Sequence, residues 1–95
     1  MNIQIQAINF TADKQLKNFV NTKVEKLISI DDSIINADIY LKVDKPASYD
    51  NKIVEIKLHS SDREFFAKKQ SNSFEESADL VVQALRKQIL KHKEK

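Results

Sequence analysis

The order in which the hydrophobic period changes along this chain limits its fold more than any other feature. Apolar side chains alternate over Asn2–Ala7, with Ile3, Ile5 and Ala7 on one side and Asn2, Gln4 and Gln6 on the other. That is the period of a half-buried strand. Leu16, Phe19, Val20, Val24 and Leu27 then recur at spacings of three and four, the buried stripe of a helix from about Ala12 to Ile28. Thr11 stands where an N-cap belongs, with Asp13 in the first turn. Ser29–Asn36 connects, its Asp31-Asp32-Ser33 cluster signalling a turn. Ala37–Val43 alternates again, with Ala37, Ile39, Leu41 and Val43 inward. Lys45–Lys52 holds the one proline and forms a hairpin loop. Ile53–His59 is a third strand through Val54, Ile56 and Leu58, and Glu64–Lys69 a fourth around Phe65, Phe66 and Ala67. Phe74, Ala78, Val81, Val82, Leu85 and Ile89 restore helical spacing to about Lys91 or beyond, behind Ser73 and Glu76 at capping-box spacing.

The order β-α-β-β-β-α predicts an α+β two-layer sandwich, because two amphipathic helices cover only one face of a four-stranded sheet. The other face, with Gln4, Gln6, Asp38, Tyr40, Lys42, Glu55, Lys57 and His59, stays wet. A chain of 95 residues builds one core, so residues 1–95 form one domain.

Glycine and cysteine are both absent. That excludes glycine-rich phosphate loops and dinucleotide fingerprints, disulfides, a thiolate nucleophile and zinc–sulfur sites. No apolar run approaches a membrane span, and the N-terminus lacks the basic and apolar regions of a signal peptide. These features predict a cytoplasmic protein with no membrane partner.

Charge is unevenly placed. Leu85–Lys95 carries five cations against Glu94, a net +4, whereas the whole chain is +2, so residues 1–84 sum to −2. Lys87, Lys91 and Lys95 recur every four residues and form one helical stripe. Cations at a helix C-terminus complement the macrodipole, but one or two suffice for that. The first helix adds Lys23 and Lys26. If the helices pack side by side, these two extend the stripe into a shared basic surface. Such a surface fits a row of phosphates; a solvated face is the alternative.

Catalytic signals are weak. His59 lies on the outward face of its strand and His92 on the apolar side or edge of the last helix, neither within a nucleophile pattern. Asp31–Asp32 and Glu75–Glu76 fit a turn and a helix first turn. Tyr40 and Tyr49 make no aromatic platform. The residues predict a binding module without cofactor, metal or small-molecule substrate, not an enzyme.

The string TADKQLKNFVNTKVEKL, then ADIYLKVDK, then VEIKLHSSDREFFAKKQSNSFEESADLVVQALRKQILKHKEK resembles the ribosome hibernation-promoting factors, or ribosome-associated translation inhibitors, over essentially the whole chain. The resemblance implies a domain similar to a double-stranded-RNA-binding domain. It would sit in the decoding channel of the small ribosomal subunit during slow growth, contact rRNA through both helices and block mRNA and tRNA. The family's basic positions match Lys23, Lys26, Lys87, Lys91 and Lys95, with Arg86 adjacent. Two departures stand out. Ser60–Ser61–Asp62 replaces a frequent glycine hairpin, and Ser73–Phe74–Glu75 replaces a frequent aspartate-methionine-tyrosine. Ending at Lys95 matches a short form, without the extra domain by which long members join two ribosomes. A free-standing RNA-binding module and a protein-interaction domain are the alternatives.

Overall fold

The computed structural model describes residues 2–44 and 50–93. Its elements are β1 (Asn2–Ile8), α1 (Lys14–Ile28), β2 (Ile34–Val43), β3 (Lys52–Ser60), β4 (Glu64–Ser71) and α2 (Phe74–Lys93). The strands form one sheet in the order β1-β2-β3-β4, with β1 parallel to β2 and the other pairs antiparallel. A parallel neighbour cannot be reached by a tight turn, so a crossover is required, and α1 is that crossover.

Register puts the apolar rows predicted from alternation directly under the helices. Ile5 lies beside Ile39, Ile39 beside Ile56, and Ile56 beside Ala67; Ile3, Ala37, Leu58 and Phe65 form the next row. Val81, Leu85 and Ile89 of α2, with Val20 and Val24 of α1, close this core and are fully buried. Phe66 points the other way and is 46% exposed, as a period of two requires for the residue between Phe65 and Ala67. The core is one cluster drawn from both helices and the sheet.

The element ends differ from the sequence reading in specific ways. Asp13, not Thr11, caps α1: its Oδ1 accepts from the Leu16 N–H at 2.8 Å. The preceding Ala12 is buried and lies outside the helix, so the chain enters α1 two residues later than its cap-like threonine implies. Ser73 does cap α2, accepting from the Glu76 N–H at 3.1 Å. The return half of a capping box is absent among the described contacts, because the Ser73 N–H turns to Ser71 Oγ at 3.4 Å. β4 runs on to Ser71 for a related reason. Ser71 is buried with its hydroxyl 2.7 Å from that of Ser77, and Ser77 donates to the Lys52 carbonyl at 2.7 Å. This small polar cluster fastens the start of α2 to the first residue of β3.

Turns are made without glycine. Between β3 and β4 the Ser60 N–H donates to the Arg63 carbonyl at 2.8 Å, and Ser60 Oγ accepts from the Arg63 N–H at 3.2 Å. Asn9 takes the left-handed conformation, φ 69°, which asparagine tolerates better than most side chains. The expected Lys45–Lys52 loop lies mostly outside the described residues, Tyr49 included. At its base the Asp44 N–H donates to the Asn51 carbonyl at 2.8 Å.

The turn into β2 is organised by Asp31, which is buried. The Ser33 hydroxyl and then the Ser33 N–H donate to its carboxylate, at 2.7 and 2.9 Å, and hold its pKa below the usual 3.8. Burial opposes this, while Lys93 and His92 assist it. A carboxyl lowered on folding stabilises the fold above its unfolded pKa and loses that contribution as pH falls through the folded value. Acid unfolding of wild type should therefore be steeper below about pH 4 than that of Asp31→Asn. Parallel stability–pH curves for the two proteins would contradict this account.

Candidate nucleic-acid interface

Side-by-side packing of the helices leaves a groove of about 190 Å³ lined by Lys23, Lys26, Leu27, Ile30, Val82 and Arg86. Its construction follows from helical phase. On α1, Val20, Val24 and Leu27 face the core, so Lys23 and Lys26, each one residue before a core position, rise at its margin. On α2, Val82 and Arg86 are four apart and flank the buried Leu85. The floor is apolar and the rim is cationic. Three of the residues singled out from sequence thus meet from two separate elements.

They are not electrostatically equal. Lys23 Nζ is 2.6 Å from Asp79 Oδ1 of α2, and it also lies 5.4 Å from the centre of the Phe19 ring. Both charged side chains are more than a third exposed, so the pair is worth about 0.2–1 kcal/mol. Lys26 and Arg86 are exposed and have no carboxylate partner among the described residues. Lys93 is a member of this margin that sequence reasoning missed. Its Nζ donates to the Ile30 carbonyl at 2.5 Å, across to the segment after α1. The signal was available: Lys93 follows Arg86 by seven residues, two helical turns along the same side.

Lys87 and Lys91 are exposed and share a stripe, but the stripe does not continue the groove. Steps of about 100° per residue set Lys87 about 100° and Lys91 about 140° away from Arg86 around the axis. Lys91 instead lines a second cavity of about 250 Å³, with Arg63, Glu64, Phe65, Gln88 and His92. Lys95 lies outside the described residues. The single basic stripe expected from sequence is therefore two patches on opposite flanks of α2.

The open sheet face contrasts with this. Glu55 takes Lys42 at 2.6 Å and Lys68 at 3.9 Å, while His59 sits between Asp38 at 3.1 Å and Glu64 at 3.3 Å. Acids and bases alternate there and neutralise one another. His92 is half-buried with its ring edge-on to Phe65, centroids 6.0 Å apart. Among the described residues no group of three or more His, Cys, Asp or Glu side chains could hold a metal ion, and no helix is long and apolar enough to cross a membrane.

Together these features define a two-layer α+β domain with a cationic helix layer and a charge-balanced sheet face. The chain belongs to the family described as sigma 54 modulation protein / S30EA ribosomal protein, whose model matches residues 3–95. Its fold is similar to that of a ribosomal subunit interface protein from Coxiella burnetii, at a TM-score of 0.89 and 23% identity over 100% of both chains. It is also similar to the N-terminal domain of Thermus thermophilus Protein Y, at a TM-score of 0.76 and 16% identity over 93% of this chain and 91% of that one. No curated protein sequence matches the chain.

Proposed function

We propose that this protein is a ribosome-binding translation inhibitor, which occupies the decoding channel of the small subunit and promotes hibernation under slow growth. On this reading it acts in the cytoplasm, by occupancy and without chemistry. Lys23, Lys26, Arg86, Lys87, Lys91 and Lys95 meet phosphates of rRNA, and mRNA and tRNA are excluded by volume. The observation that carries it is the convergence of Lys23, Lys26 and Arg86 from two helices on one groove, the latter two without a carboxylate partner among the described residues, opposite a sheet face where acids and bases are balanced in number. Unpaired like charges gathered on one face cost self-repulsion, and a polyanion relieves it by releasing its condensed counterions. The family, and the likeness to the Coxiella ribosomal subunit interface protein, direct the choice of polyanion to the ribosome.

Sucrose-gradient sedimentation of lysate from stationary cells tests this. Co-migration with small subunits or whole ribosomes is expected, together with weak binding to naked duplex RNA. Equal affinity for duplex RNA and ribosomes would favour a free-standing RNA-binding module. Absence from both would point to an acidic protein partner.

A further inference from the structure

We propose that α2 carries a second phosphate site on its β4 flank, formed by Arg63, Lys91 and His92, which holds a separate segment of RNA backbone from the one in the interhelical groove. The proposal rests on reading the helix layer as an RNA surface, and adds to it a residue, Arg63, that lies on neither helix.

Arg63 lies in the turn between β3 and β4. Its N–H and carbonyl are both bonded to Ser60, at 3.2 and 2.8 Å, so a short braced turn fixes the base of the side chain. Opposite it, Gln88 donates to the Phe66 carbonyl at 2.9 Å and pins α2 to the edge strand. Lys91, three residues further on, therefore stands at a set distance from that edge. Arg63, Lys91 and His92 line one cavity of about 250 Å³.

The one carboxylate there is Glu64, and its Oε1 lies 3.3 Å from His59 Nδ1 on the sheet face. Neither Arg63 nor Lys91 pairs with a carboxylate among the described residues. Two cations line the cavity while its one lining carboxylate is engaged elsewhere. His92 supplies a third group. Its ring is held edge-on by Phe65, and Nδ1 is sealed from solvent with no hydrogen-bond partner. A sealed N–H without an acceptor costs more than a bare lone pair. In the neutral ring the proton is then better carried on Nε2, the atom left to meet a ligand.

A guanidinium fork, an ammonium and an imidazole N–H around one cavity suit the oxygens of a phosphodiester. The groove cluster of Lys26 and Arg86 lies on the other flank, separated by the width of a helix, about 10–12 Å with side chains. Lys87 lies on the ridge between them. The outer ridge of α2 is thus placed to enter between two backbone segments and contact both.

The experiment measures ribosome affinity at several salt concentrations for wild type and three double variants. Arg63→Ala with Lys91→Ala should lower the slope of log affinity against log salt by about 1.4–1.8, at about 0.7–0.9 per phosphate contact. Lys26→Ala with Arg86→Ala should lower it by a similar amount. Lys57→Ala with Lys68→Ala removes the same charge from the sheet face and should leave the slope near wild type. Arg63 and Lys91 are exposed, so the melting temperature should hold; a role confined to the helix dipole would shift it slightly and leave the slope alone. A wild-type slope for the Arg63 and Lys91 variant, with a reduced slope for the Lys26 and Arg86 variant, overturns the second site and leaves the ribosomal reading standing. Equal losses in all three variants reduce the effect to net charge and overturn it too. Wild type that fails to bind ribosomes removes the reading on which both sites depend.

Discussion

Glutamate at both Lys26 and Arg86 is expected to abolish co-sedimentation with ribosomes while leaving a cooperative, native-like melt. Both side chains are exposed and unpaired by carboxylates among the described residues, so folding draws little from them. Lys26 lies in the last turn of α1, where a cation is worth about 0.3–1 kcal/mol against the helix dipole. Binding is another matter. A hydrogen bond to a charged group contributes about 1.5–3 kcal/mol, so two lost contacts amount to about 3–6 kcal/mol, or roughly 10²–10⁴ in affinity at 1.4 kcal/mol per decade. The new carboxylates add repulsion to that loss. Lys23, the remaining rim cation, is already held by Asp79, so two carboxylates would turn the rim from cationic to acidic. Gradient fractions from cells expressing each form provide the comparison. Sedimentation equal to wild type would remove the groove from the interface.

Leu85→Ala is expected to cost about 2–5 kcal/mol, out of a total near 5–15 kcal/mol for a domain. Leu85 is fully buried, at 0% exposure, in the cluster that joins α2 to the sheet. Truncation there loses transfer free energy and leaves a cavity between two layers that are fixed independently, by strand pairing and by the serine cluster at the start of α2. Such a site has little freedom to collapse. For 60–100 residues, 1 kcal/mol moves the melting temperature about 4–8 °C, so a fall of at least about 8 °C should appear in thermal unfolding. Val82→Ala, at a half-buried position on the groove wall, should cost clearly less. The reverse ranking would mean that the wrong face of α2 had been assigned to the core.

Most of the fold was legible because burial imposes periods. Alternation over β1 and β2 and three-four spacing along α1 and α2 are read directly from apolar positions, and register then follows from which face each strand must bury. The ends were less legible. Thr11 and Asp13 are both good caps by type, and only the position of Ala12 in the core separates them. Ser71 and Ser77 carry no sequence signal of their burial, because only tertiary contact gives their hydroxyls buried partners.

The site was legible in its parts and not in its arrangement. Lys23, Lys26 and Arg86 do share a surface, but which flank of α2 turns to α1 depends on the packing of Val82, a contact between distant segments. A four-residue repeat finds Lys87 and Lys91 together and cannot say which neighbour they face. Arg63 gave no signal at all, since it is brought to Lys91 by a turn some 28 residues earlier in the chain and by no local pattern. Asp79, placed where the dipole favours acids, gave no hint that it would tie down Lys23.

One feature of α2 bears on time rather than affinity. Its first two turns carry Glu75, Glu76 and Asp79, and its later turns carry Arg86, Lys87, Lys91 and Lys93. Twenty residues of helix hold these groups up to about 30 Å apart, so α2 carries a large separation of charge along its axis in a chain of net charge only +2. In the field of a polyanion such a molecule experiences a torque before it experiences much net pull. It turns its basic end forward during diffusion, and a larger share of collisions become productive. The gain belongs to the encounter rate, and it fades with added salt as screening shortens the distance over which the field can act.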